Sequence, residues 1–273
     1  MNIYEIRALD DEALNIFESG DNIRRLGPNL AGLHWEADFA FLFFTGEAGP
    51  ELPGFLYEHP NLDLRHIHHL TYAQWQDGAG APPLKVEGLN IVGPGEEAPE
   101  PKIVIDPGLA FGFGGHQTTL NCLEFLARAA GSKSPPVTAL DLGTGTGILA
   151  LAAARLGFKR ILGVDYSHLA VEAALCNLHL NKLEAQVEFR RGPAQDYARH
   201  PGQLLMANLH LSLQEELFEL GAFEERRLVI VSGLLPSEGE RLWAKLSSIG
   251  FTLIDQVRTD RWITIFCGRA DTV

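Results

Sequence analysis

The stretch Asp141-Leu-Gly-Thr-Gly-Thr-Gly147 decides how the rest of the chain is read. It closes a short apolar run, Thr138–Leu142 (TALDL), and opens Ile148–Leu156 (ILALAAARL), a run of strong helix formers. Glycines at 143, 145 and 147 let the chain turn sharply and let a ligand touch backbone. The next predicted strand, Arg160–Asp165 (RILGVD), ends in an acid 22 residues after Gly143. A carboxylate there can accept hydrogen bonds from both hydroxyls of a ribose. The pattern is GxGxG, not the GxGxxG of dinucleotide enzymes. A nicotinamide enzyme and a glycine turn without a ligand are therefore the alternatives at this point.

Outward from this motif the C-terminal part alternates. Leu169–Leu180, Ser212–Leu220 and Glu238–Ile249 read as helices. Val187–Arg190, Leu204–Asn208 and Leu228–Ser232 read as buried strands, and Phe251–Arg258 with Trp262–Cys267 as a closing antiparallel hairpin. Helices alternating with buried strands imply an α/β domain with a doubly wound, mostly parallel sheet. Such sheets bind ligands at the carboxyl ends of their strands, where strand order reverses. Residues 76–101 are dense in Gly and Pro and are expected to be a linker, with LKVEGLNIV (84–92) as a strand inside it. That places an α/β domain at 102–273 and a small α+β unit at 1–75. The small unit is expected to hold a strand at 2–7, a helix near 11–19 and one aromatic strand at 34–45.

The chain has 273 residues and a formal net charge of −13. A protein neutralising phosphates would not carry that balance, so direct nucleic-acid binding is not expected. Residues 1–100 hold 17 acidic and 5 basic side chains, whereas residues 101–273 hold 18 and 17. The excess either keeps a surface solvated or attracts a basic partner. No apolar window is long enough for a membrane helix, and the N-terminus MNIYEIRALDDEALN lacks the pattern of a secretory signal. Cys122, Cys176 and Cys267 match no zinc spacing. A cytoplasmic protein with reduced thiols and no metal is expected.

The glycine motif followed by Gly163-Val-Asp165 resembles motif I and the second-strand acid of class I S-adenosylmethionine-dependent methyltransferases. Asp106-Pro-Gly-Leu-Ala-Phe-Gly-Phe-Gly-Gly-His-Gln-Thr-Thr119 resembles the DPGxAFGTGxHxTT signature of the bacterial ribosomal protein methyltransferases of the PrmA type. Ala207-Asn208-Leu209 and Ser232-Gly233-Leu234-Leu235 are similar to the ANIL and SGIL motifs of that family. The resemblance covers about 102–273. It implies a Rossmann-like, seven-stranded class I methyltransferase sheet with a small N-terminal α+β domain. It implies S-adenosyl-L-methionine as methyl donor. The acceptors it implies are amino groups, lysine ε-amines and an N-terminal α-amine, of a basic, large-subunit ribosomal protein. The cofactor contacts carried over are Thr119, Gly143, Asp165 and Asn208, with Asp141, Gly145 and Gly147 completing the turn. Asp141 is expected either to receive the cofactor's ammonium or to fix the turn. Asn208 is expected to orient the attacking amine.

This chain departs from the family's pattern at two places. Phe113 stands where a small hydroxyl residue is usual, and His210 stands in the position after Leu209 where the family has an aliphatic residue. His210 is a candidate for proton removal, against an ordinary structural histidine. His116 matches the family's histidine and is expected to orient the glycine loop. His66, His68 and His69 cluster but lack the partners of a metal site. Two other classes stay open: a methyltransferase for a different protein lysine or a small amine, and a catalytically silent module that retains the fold.

Overall fold

The computed structural model describes residues 2–17, 20–36, 39–69, 84–106 and 116–270. The chain divides into two compact units, Met1–Gly80 and Ala81–Val273. None of the helices among the described residues is long and apolar enough to cross a membrane.

The first unit is a four-stranded antiparallel sheet. Its strands are β1 (Asn2–Ala8), β2 (Leu30–Glu36), β3 (Phe39–Phe44) and β4 (Leu62–His69), in the order β2-β3-β1-β4. Helices α1 (Asp11–Ile16), α2 (Gly20–Arg24) and α3 (Glu51–Glu58) complete it. Tyr4, Ile6 and Ala8 alternate along β1 and share a core with Leu42 and Phe44 of β3 and with Phe17 and Phe55. The aromatic stretch 34–45 is not one strand, as expected, but the end of β2 and the whole of β3. Glu36 pairs with Phe39, so the chain doubles back between them. The sequence marks the reversal only by Glu36-Ala37-Asp38, a brief polar interruption without Gly or Pro between aromatic flanks.

The second unit begins earlier than the Gly/Pro-rich composition suggests. Residues 76–83 of the expected linker lie outside the described residues. From Leu84 the chain forms β5 (Leu84–Val86), β6 (Leu89–Val92) and β7 (Lys102–Val104). Val86, Leu89, Ile91 and Ile103 of this small sheet are buried in the same core as the main sheet. Burial of four aliphatic side chains outweighs the turn-rich composition around them.

The main sheet has seven strands: β8 (Thr138–Leu142), β9 (Arg160–Asp165), β10 (Val187–Arg191), β11 (Leu204–Asn208), β12 (Leu228–Leu234), β13 (Phe251–Arg258) and β14 (Ile263–Arg269). Their order is β10-β9-β8-β11-β12-β14-β13, and only β14 runs against the others. Alternate residues face opposite layers. Ala139, Ile161, Met206 and Ile230 join one core; Leu140, Leu162, Leu205 and Val229 join the other. Both faces are covered, so the strands read as continuous apolar runs. Helices α4 (Gln117–Ala130), α5 (Ile148–Arg155) and α6 (His168–Asn181) contribute to the first core. Helices α7 (Leu211–Glu219) and α8 (Pro236–Ser248) contribute to the second, with a short 3-10 turn at Ala194–Tyr197. Strand β8 lies between β9 and β11, which sets the reversal of strand order at its carboxyl end.

Candidate functional site

The turn after β8 is locked by backbone. The N–H groups of Gly143 and Thr144 both donate to Val164 O on β9, each at 2.9 Å, and Gly147 N–H donates to Thr144 O at 2.9 Å. Gly143 sits at φ +73° and Gly147, which caps α5, at φ +82°. Other residues rarely adopt that conformation. The two positions are also crowded. A Cβ on Gly143 would lie 2.4 Å from Leu209 Cδ2, and one on Gly147 would lie 2.6 Å from Phe189 Cζ.

Two acids flank this turn. Asp165, at the end of β9, accepts from Gly145 N–H at 3.0 Å through Oδ2 and from Ser167 N–H at 2.9 Å through Oδ1. Burial pushes its carboxyl above the usual range, and these N–H donors pull it back. Asp141 is 1% exposed, and its Oδ2 accepts from the Thr144 hydroxyl at 2.6 Å. Burial pushes Asp141 up to about 7 against the Thr144 hydrogen bond, and the neighbouring Asp165 adds to the rise. A carboxyl poised in this way gains from a cation brought beside it.

On the other side of β8, β11 ends at Asn208. The turn that follows is held by side chains. Asn208 Nδ2 donates to Thr118 Oγ1 at 3.1 Å. Thr118 lies in the first turn of α4, whose cap is His116: the ring Nδ1 accepts from Thr118 N–H at 3.3 Å and lies 2.7 Å from Thr118 Oγ1. The His116 ring meets Trp262 edge-on, 5.3 Å between centroids. The structure thus gives His116 a capping role at the helix start. Thr119 is buried next to Thr118, and its N–H donates to His116 O at 3.0 Å.

His210 is exposed and caps α7. Its Nδ1 lies 2.7 Å from Ser212 Oγ and accepts from Leu213 N–H at 3.4 Å. Phe113 and the glycines around it lie outside the described residues. His66 and His69 lie on β4, where His69 Nδ1 is 2.6 Å from Asn2 Oδ1, and no metal-holding cluster occurs among the described residues.

Sequence reasoning did not single out Thr118, Asn121, Thr264 or Gln214. Asn121 Nδ2 donates to Thr264 Oγ1 at 3.2 Å, and Thr264 Oγ1 is 2.7 Å from Ser232 Oγ, all fully buried. The available signal was a polar residue interrupting an apolar helix face or strand.

The site therefore joins an acid-flanked glycine turn to a carboxamide across one strand. The acids suit sugar hydroxyls and an ammonium group. The first turn of α4 suits a carboxylate, because helix N-termini favour negative charge. These groups fit the parts of an amino-acid-bearing nucleoside.

Residues 65–270 match the family model described as ribosomal protein L11 methyltransferase (PrmA). A protein of Pelobacter propionicus named ribosomal protein L11 methyltransferase is 34% identical over 231 residues, 78% of this chain and 73% of its own length. One of Exiguobacterium sibiricum with the same name is 33% identical over 195 residues, 68% of this chain and 61% of its own. The matched parts thus span between 55% and 73% of the length of these and similar curated relatives. A crystal structure of ribosomal protein L11 methylase from Lactobacillus delbrueckii subsp. bulgaricus superposes with a TM-score of 0.56 at 30% identity, covering 67% of this chain and 95% of that one. With its Rossmann-like seven-stranded sheet and these likenesses, the chain belongs to the ribosomal protein L11 methyltransferase (PrmA) family.

Proposed function

We propose that this chain transfers methyl groups from S-adenosyl-L-methionine to amino groups, lysine ε-amines and an N-terminal α-amine, of ribosomal protein L11. The observation that carries the reading is the placement of Asp165 and the Gly143–Gly147 turn beside Asn208 at the reversal of strand order. Family membership supports it, and so do the names of the relatives. S-adenosyl-L-methionine, when bound, supplies an electrophilic methyl group on a cationic sulfonium.

The residues divide the work. Asp165 accepts the ribose hydroxyls with lone pairs that its bonds to Gly145 and Ser167 leave over. Gly143 brings backbone to the amino-acid portion. Asp141 takes the ammonium as an ionised neighbour. Thr119 and the first turn of α4 hold the carboxylate. Asn208 has its Nδ2 on Thr118, which fixes the carboxamide plane and presents its oxygen to an incoming amine.

An amine reacts only when neutral, and a free lysine titrates at about 10.4. Desolvation at the site favours loss of that proton. Positioning then carries most of the rate, since the methyl donor is already activated. The acidic excess of residues 1–100 suits a basic protein partner by speeding encounter.

The test is incubation of the full chain with purified L11 and a labelled methyl donor, followed by mass spectrometry of L11. Label on L11 amino groups supports the reading. Label on free amines alone, or on no acceptor, overturns it.

A further inference from the structure

We propose that Gln214 is a positioning residue for methyl transfer, its buried carboxamide clamping the Asn208–Leu209 turn to the Ser232–Gly233 turn. The inference rests on the functional reading above.

Gln214 occupies the buried stripe of α7 together with Leu217 and is fully enclosed. An amide at such a place is costly unless its polar atoms are partnered. Its Nε2 donates one hydrogen to Leu209 O at 2.5 Å and the other to Ser232 O at 2.8 Å. Its Oε1 has no hydrogen-bond partner among the described residues. Both amide hydrogens are spent on these two carbonyls, so the side chain ties them together.

Those carbonyls lie where the ladder between β11 and β12 stops. The last pair is Asn208 with Ser232, and beyond it Leu209 N–H donates to Ser232 O at 3.1 Å. The clamped turn touches both halves of the site. Leu209 packs against Gly143, so closely that a Cβ there would meet it at 2.4 Å. Gly233, at φ +79°, lets Asn208 Oδ1 come within 3.0 Å of where its own Cβ would stand. A shift of this turn therefore moves the Asn208 carboxamide relative to the cofactor turn, which keeps its own backbone hydrogen bonds to Val164. A displacement near 1 Å can cost about 100-fold in rate.

The variants are Gln214→Leu, which keeps the bulk without donors, and Gln214→Glu, which keeps the shape and regains one donor only when protonated. Three quantities are read: kcat and KM on L11, the dissociation constant of S-adenosylhomocysteine, and hydrogen exchange of the Leu209 N–H. In both variants kcat is expected to fall about 10- to 100-fold, with KM and the dissociation constant within about threefold. Leu209 N–H exchanges faster while Val231 N–H, inside the ladder, does not change. Activity of Gln214→Glu rises relative to the parent as pH falls, and that of Gln214→Leu does not. Should Gln214→Leu fail to fold, Gln214→Glu carries the same comparison.

An unchanged kcat in a folded variant overturns the proposal. So does a loss of kcat matched by an equal loss of affinity, which is general loosening. If the parent itself leaves L11 unmethylated, the functional reading fails. The clamp is then decided by exchange at Leu209 alone, and unchanged exchange overturns it.

Discussion

The turns after β8 and β11 lie side by side and are built in opposite ways. The first is shaped by its own glycines and by backbone hydrogen bonds to Val164. The second is shaped by visitors: Thr118 from α4, Gln214 from α7 and the close backbone of Gly233. A turn of the first kind carries its instructions within a few residues. A turn of the second kind depends on the helix that follows it and on two elements far along the chain, α4 and β12, arriving correctly.

The difference can be broken by substitution. Asn208→Ala should act on the second turn alone. The expected fall in methyl transfer to L11 is about 100-fold, a larger loss than that of affinity for S-adenosylhomocysteine. Equal losses in both, measured by steady-state kinetics and calorimetry, would show that the two turns do not divide the labour.

Asp165→Ala acts on the first turn. Hydrogen bonds to a charged group contribute about 1.5–3 kcal/mol, so the dissociation constant should rise about 10- to 100-fold. Calorimetric titration reads it directly, and an unchanged constant moves the pocket elsewhere.

Protonation sharpens the contrast further, since both acids belong to the first turn. Asp141 holds its proton up to about 7 when folded and releases it in the ordinary carboxyl range when unfolded. The folded state therefore binds the extra proton between those limits. Stability from this group is full at acid pH and is lost as pH rises toward 7, with a limiting slope of about 1.4 kcal/mol per pH unit. Asp165 is shifted the same way. Asp141→Asn should flatten the pH dependence of urea unfolding relative to the parent. In the parent, affinity for S-adenosylhomocysteine should rise with pH through about 7, as Asp141 ionises opposite the ammonium. An identical slope in Asp141→Asn would count against the buried-acid account.

The smallest effect expected is at His210. Its Nδ1 caps α7, so His210→Ala should lower stability by about 1 kcal/mol or less in denaturant titration. Methyl transfer is expected to be nearly unchanged. A large loss with a shifted pH profile would instead assign this ring the proton of the acceptor amine.

The same contrast explains what was legible in the sequence. The seven-stranded sheet was readable because its buried strands are continuous apolar runs separated by good helices. The glycine turn and its two acids were readable because they occupy one short stretch and the end of the next strand. The reversal inside 34–45 was hidden by aromatic residues on both sides of it. Leu84–Val92 was legible as extended chain but read as one strand, whereas it is a hairpin of Leu84–Val86 with Leu89–Val92 whose aliphatic side chains bury in the main core. Helix Glu51–Glu58 and strand Leu62–His69 carried little periodic signal, and neither was anticipated. Thr118 acts on Asn208, and Gln214 on Ser232, only once folding brings them together, and no local pattern announces that.

The inward position of β14 bears on how the molecule is made. Strand β14 is made after both β12 and β13, yet it separates them and supplies Thr264 beneath Ser232. A nascent chain stopped before Ile263 would leave β13 without a neighbour and the floor under Ser232 open. Completion of the site must therefore wait for β14 to leave the ribosome, long after the glycine turn and its two acids have been made.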